Sequence, residues 1–145
     1  MAPNTVQHQE EAIAHLSASL KGGHVGHSYL FHGPAGVGKT RAALWFARAL
    51  LCETPLPDAG PCDHCPSCVA SYALRHPDLE LLVPLPSFRT EGRTEQPADE
   101  ARSEARAGVR GRYAREPFFA PSFAKQPVHT VEDLARAKQF LSLTP

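Results

Sequence analysis

Gly33-Pro34-Ala35-Gly36-Val37-Gly38-Lys39-Thr40 is a complete G-x-x-x-x-G-K-T phosphate-binding loop. Its flanks have the character such a loop requires. Upstream, Tyr29-Leu30-Phe31 is a short apolar stretch that reads as a buried strand. Downstream, the residues from Arg41 to Leu51 are rich in helix formers and read as a helix. Gly33, Gly36 and Gly38 carry no Cβ, so the backbone between them can curl and aim successive N–H groups at a polyphosphate. The helix that starts near Lys39 adds its positive N-terminal end. Lys39 would meet the β- and γ-phosphates as a point charge, and the Thr40 hydroxyl would take one coordination position on Mg²⁺. A nucleotide polyphosphate with Mg²⁺ is therefore the expected ligand. The competing reading is a glycine-rich turn that binds nothing.

With 145 residues the chain is long enough for one domain with a real core, and 42 % hydrophobic residues with 15 basic against 15 acidic side chains fit a soluble protein. Zero net charge gives no nucleic-acid signal. No run approaches the roughly 18 apolar residues of a membrane span, and Met1-Ala2-Pro3-Asn4-Thr5 lacks the regions of a signal peptide. A cytoplasmic location is the expectation. Most of the 14 prolines follow Leu51, so order should concentrate in the first half and around the cysteines.

Along the chain, Thr5 can cap a first helix with Ile13, Leu16 and Leu20 on one face, stopped by Gly22-Gly23. The helix after the phosphate loop should run to about Cys52 and be buried on more than one face. Val69 to Arg75 can form a short helix, His76-Pro77-Asp78 breaks it, and Leu79 to Val83 reads as a second strand closed by Pro84. The pattern is α/β. From Ser87 to Gln126 charges alternate in sign among few large apolar residues, which reads as a solvated insertion with a surface helix over Ala98 to Arg106. Tyr113, Phe118, Phe119 and Phe123 should dock on something. The insertion's basic residues invite a nucleic-acid reading, which the interleaved acids weaken. Thr130 and Asp133 make a capping-box-like start to a last helix marked by Val131, Leu134, Phe140 and Leu141.

Cys52, Cys62, Cys65 and Cys68 form a C-x9-C-x2-C-x2-C pattern, a soft ligand set suited to tetrahedral Zn²⁺. Such a site would staple a proline-rich loop to the core, and four thiolates leave no open position, so its role would be structural. Disulfides and free buried thiols are the alternatives. His64 lies inside the cysteine segment but is expected to be solvated. The other histidines lack ligand spacing.

His27-Ser28-Tyr29-Leu30-Phe31-His32 running into the loop, a helix ending in Leu50-Leu51-Cys52, the Cys62-Cys65-Cys68 cluster and His76-Pro77-Asp78 together resemble the bacterial DNA polymerase III clamp-loader subunits. His-Pro-Asp followed by an apolar strand is more similar to the delta prime than to the tau/gamma subunits. The resemblance implies a partial P-loop NTPase domain of the AAA+/RecA-like α/β class with a four-cysteine zinc-binding insertion. Residues 1–86 would be the N-terminal part of that domain with the zinc module at 52–68, residues 87–127 a variable and partly disordered insertion, and residues 128–145 a C-terminal helix. It further implies ATP and Mg²⁺ at residues 33–40 and zinc at Cys52, Cys62, Cys65 and Cys68. The implied partners are other clamp-loader subunits, with the sliding clamp and primed DNA reached through the assembled complex. One departure is His8 before Gln9, where relatives often have Gly-Gln near the adenine. The family's acidic metal-binding strand is absent from these residues, so a truncated, N-terminal fragment is expected that binds ATP but hydrolyses it poorly alone. Two other readings stay open: a zinc-stabilised interaction scaffold with a vestigial phosphate loop, and an unrelated P-loop kinase or ATPase with a catalytic acid inside the chain.

Overall fold

A computed structural model of the chain describes residues 6, 8–86, 98–116, 119, 121, 123, 127–129 and 131–143. It divides into two units, Met1–His76 and Pro77–Pro145.

The first unit is built from helices α1 (Glu10–Lys21), α2 (Lys39–Leu50) and α3 (Pro66–Tyr72), with α2 packed against both of the others. Glu10 and Glu11 in the first turn of α1 and Lys21 in its last complement the helix dipole. The expected stop at Gly22-Gly23 is present: Gly22 N–H donates to Ala18 O at 2.9 Å, and Gly23 takes a left-handed φ of 66°. The Thr5 cap lies outside the described residues. α2 buries Ala42, Phe46, Arg48 and Ala49, and Tyr29 meets Phe46 edge-on at 4.7 Å. It ends at Leu50, two residues before Cys52.

α3 starts earlier than the apolar pattern indicates because two local features favour an earlier start. Cys65 accepts a hydrogen bond from Cys68 N–H as the N-cap, and Pro66 occupies the first turn, where its missing N–H costs nothing. The helix closes through Leu74 at a φ of 55°, with Leu74 N–H to Ser71 O at 3.0 Å and Arg75 N–H to Ala70 O at 2.9 Å. A left-handed leucine costs about 1–2 kcal/mol. Leu74 is only 3 % exposed, and burial of a leucine contributes about 1.5–3 kcal/mol, which offsets that strain.

The second unit carries strands β1 (Leu85–Pro86) and β2 (Pro127–Val128), paired antiparallel with Leu85 opposite Val128, and helices α4 (Ala98–Arg115) and α5 (Val131–Leu143). Its core is Val83, Leu85 and Val109, with Leu81, Ala105, Tyr113, Phe119 and Phe123 packed around it. The expected docking of the aromatic residues is thus present for three of them, while Phe118 lies outside the described residues. Arg102, Arg106 and Arg110 stand four residues apart on one face of α4. Arg102 and Arg106 pair with the buried carboxylate of Asp133, and Arg110 and Arg136 pair with Glu80 at 3.3 and 3.6 Å. Within the stretch read as a solvated insertion, α4 therefore runs nine residues beyond Arg106 and buries Arg102 and Val109. Asp133, read as part of a capping box, is a buried ion-pair partner, and Val131, Leu134 and Leu141 of α5 are exposed.

Two strand expectations are corrected. Tyr29-Leu30-Phe31 forms no strand, and Leu30 is 87 % exposed. Leu79 to Val83 forms none either, and the ladder begins at Leu85. An apolar run becomes a strand only when a neighbour satisfies its backbone groups, and among the described residues no partner lies alongside either run. Pro84, Pro86 and Pro127 lack N–H donors, which keeps the ladder that does form to two residues. The described architecture is accordingly helical and does not contain the layered α/β sheet expected from the sequence. No described helix is long and apolar enough to cross a membrane.

Candidate nucleotide and metal centres

The residues of the phosphate loop form one curl at the start of α2. Gly33, Gly36 and Gly38 have φ values of 143°, 79° and 95°, so all three lie in the region that side-chain-bearing residues rarely adopt. At Gly36 and Gly38 a Cβ would meet nothing within 4 Å; glycine is required there by backbone conformation and not by space. Gly38 is also the N-cap of α2, with no side-chain cap and no acidic residue in the first turn. The positive end of the helix dipole therefore faces the loop without local compensation. Lys39 Nζ lies over the curl and donates to Gly33 O at 2.9 Å and Pro34 O at 2.7 Å. Pro34, Ala35, Val37 and Thr40 are exposed. Glycine curl, ammonium and hydroxyl thus stand together on the protein surface, a donor set suited to an anion.

The four cysteines are brought to one point. Their sulfurs all lie within 4.8 Å of one another, and Cys62 Sγ is 3.9 Å from Cys68 Sγ. Tetrahedral zinc about 2.3 Å from each sulfur would hold them about 3.8 Å apart. All four are free cysteines, so the disulfide alternative is not supported. Backbone amides knit the ligands in sequence. Cys62 N–H points to Cys52 Sγ at 3.4 Å, Cys65 N–H to Cys62 Sγ at 3.4 Å and Cys68 N–H to Cys65 Sγ at 3.3 Å. Donors aimed at sulfur favour the thiolate, the form that binds metal. Thr54 Oγ1 adds a 3.2 Å hydrogen bond to Cys62 Sγ. Chiefly through that hydroxyl, helped by the amides of His64 and Cys65, the Cys62 thiol is lowered to about 5. Burial pushes the Cys68 thiol up instead. A cation here would meet a preformed thiolate and displace a proton from a buried neighbour.

His64 is exposed, with Nδ1 2.8 Å from Cys62 O, and stands outside the sulfur cluster as expected. Sequence reasoning missed the supporting residues. Glu53 Oε1 accepts from Ser67 N–H at 3.2 Å and from Ser67 Oγ at 2.6 Å, tying the residue after Cys52 to the residue before Cys68. The two hydrogen bonds from Ser67 hold the Glu53 carboxyl below its ordinary range. His76 Nε2 lies 3.3 Å from Ser67 Oγ. Arg48 Nε is 3.4 Å from Asp63 Oδ1, close enough for an ion pair but not aligned for a hydrogen bond. The available signal was adjacency: Glu53, Thr54, Asp63 and Ser67 each stand one or two residues from a cysteine.

The family profile described as "DNA polymerase III, delta subunit" matches residues 8–144. The DNA polymerase III subunit gamma/tau of Mycobacterium tuberculosis is 48% identical over 62 residues, which are 43% of this chain and 11% of the relative. The DNA polymerase III subunit delta' of Pseudomonas aeruginosa is 45% identical over 58 residues, 40% of this chain and 17% of the relative. That of Bacillus subtilis is 36% identical over 76 residues, 52% of this chain and 22% of the relative. The chain thus spans about a tenth to a fifth of the length of the relatives it matches. No solved structure gives a significant match.

Proposed function

The chain belongs to the DNA polymerase III delta subunit family, and from that premise we propose that it is the nucleotide-binding part of a delta prime-like clamp-loader subunit. Residues 33–40 would hold the phosphates of ATP, with Lys39 at the β- and γ-phosphates and Thr40 on Mg²⁺. Cys52, Cys62, Cys65 and Cys68 would hold one structural zinc ion. The observation that carries the nucleotide reading is the uncapped, acid-free start of α2 beneath three glycines of positive φ, with the Lys39 ammonium over the curl. Fixed amides, a helix N-terminus and one lysine stabilise bound phosphate without further catalytic groups. Hydrolysis asks for more: a metal held from a second side and an oriented water. This chain's own activity is therefore binding rather than efficient turnover. In the assembly the resemblance implies, nucleotide binding would favour the loader that places the sliding clamp on primed DNA, and its partners would be the other loader subunits.

A second reading is a zinc-stabilised interaction scaffold with a vestigial loop. It is favoured by the exposure of residues 32–37 and by the absence, among the described residues, of a strand before them. Calorimetry of ATP–Mg²⁺ on the zinc-loaded chain separates the two. Under the nucleotide reading wild type binds and Lys39→Ala weakens binding at least tenfold. Folded, zinc-loaded protein that takes up no ATP sinks that reading and leaves the scaffold.

A further inference from the structure

α2 carries candidate chemistry at both ends. Lys39 and Thr40 open it, and Cys52 stands two residues beyond its last. Twelve residues at about 1.5 Å each put these ends about 18 Å apart. Arg48, near the cysteine end, has a buried side chain, 7 % exposed, and no hydrogen bond reaches its Nε. Its guanidinium lies 5.9 Å from the centre of the Tyr72 ring on α3, and its ion-pair partner is Asp63, which is 41 % exposed. Asp63 sits between Cys62 and Cys65 at a left-handed φ of 63°. The carboxylate that neutralises the buried cation of α2 therefore belongs to the turn presenting two of the four sulfurs.

We propose that Arg48 is a positioning residue of the metal site, and that through it metal occupancy sets the order of α2 as far as the turn bearing Lys39 and Thr40. The proposal rests on the zinc reading above, and its consequence for ATP rests on the nucleotide reading. A metal-filled cluster fixes the Cys62–Cys65 turn and with it Asp63. Without the metal that turn keeps only long N–H···S hydrogen bonds and the Asp63–Arg48 pair itself, so Asp63 moves away more readily and leaves Arg48 a buried cation without its counter-ion. Such a charge is strongly unfavourable and finds water most readily by fraying the last turns of the helix. Isolated helices shorter than about 12–15 residues are marginal, so α2 depends on its packing against α1 and α3. Losing one side therefore reaches the first turn. By linkage, whatever metal adds to nucleotide affinity, nucleotide must return as metal affinity.

The test uses the full chain loaded with zinc, or stripped by a chelator that ignores Mg²⁺. Amide exchange is read at Ala42, whose N–H donates the first hydrogen bond of α2 to Gly38 O at 2.9 Å. Zinc release into the chelator is timed for wild type, Arg48→Met, Asp63→Asn and the double variant, and Co²⁺ spectra report whether the four-thiolate cage still forms. Stripping is expected to speed exchange at Ala42 at least tenfold. Each single variant is expected to release zinc at least tenfold faster, and the double variant no faster than the worse single one, the signature of one shared interaction. If Arg48→Met does not fold, Asp63→Asn alters the more exposed partner and carries the same comparison. Zinc release unchanged in the variants, exchange at Ala42 unchanged on stripping, or a folded chain that retains no zinc would each overturn the proposal. Coupled exchange in a chain that binds no ATP–Mg²⁺ by calorimetry would instead sink the nucleotide reading and leave the role of Arg48 standing.

Discussion

At the scale of single residues, backbone conformation decides more here than side-chain contact. Gly38 caps α2 at a φ of 95°, and the space where a Cβ would stand is open. The cost of replacing it is therefore conformational: about 1–2 kcal/mol for Gly38→Ala, because alanine rarely enters this region. Asparagine tolerates left-handed backbone and is a favoured N-cap, so Gly38→Asn should lose less than half of that. Chemical denaturation of the zinc-loaded variants checks the order. Equal losses would mean that neighbouring atoms, and not φ, restrict the position. The turn at the loop's glycines and the gathering of the four cysteines were legible in the sequence because a positive φ and a sulfur's place each follow from residue type and spacing. Glu53, Thr54, Asp63 and Ser67 were not, because what they do depends on which sulfur, amide or cation the fold brings to them.

Among the elements, helices were legible and strands were not, for a physical reason. α1, α2 and the existence of α3 and α5 follow from local signals: Gly22-Gly23 as a stop, helix formers after Lys39, and apolar spacing after Cys68 and after Thr130. A strand needs a partner, and the apolar runs at residues 29–31 and 79–83 say nothing of one. The left-handed closure of α3 was hidden for another reason, since leucine at a helix end carries no stop signal. It yields a reversal of the ordinary propensity order. Leu74→Ala should destabilise the first unit by about 2–3 kcal/mol through lost burial. Leu74→Gly loses the same side chain but relaxes the strained φ, so it should be the milder of the two by up to about 1 kcal/mol. Thermal denaturation of both variants decides it, and an alanine variant more stable than the glycine one would show that residue 74 changes its backbone once the side chain is removed.

Across the whole molecule, each of the two units is held by a different polar centre set among few large apolar residues. In Met1–His76 that centre is the sulfur cluster; in Pro77–Pro145 it is Asp133, one of the most buried side chains described. Asp133 joins α5 to Arg102 and Arg106 of α4, beside a core that among the described residues has three buried apolar side chains, Val83, Leu85 and Val109. A buried ion pair adds little net stability over an apolar replacement, but removing one partner leaves uncompensated charge. Asp133→Ala takes the shared carboxylate from the guanidinium groups of Arg102 and Arg106, both largely buried, and should destabilise the second unit by about 3–5 kcal/mol. Replacing all three residues together, Asp133→Leu with Arg102→Met and Arg106→Met, removes the charges as a set and should recover most of that loss. Amide exchange over α4 and α5 reads both variants directly. Faster exchange in Asp133→Ala and near wild-type exchange in the triple variant is the expected pair of results. A triple variant as unstable as the single one would mean that Asp133 holds α5 through hydrogen bonds of specific geometry, which apolar packing cannot replace.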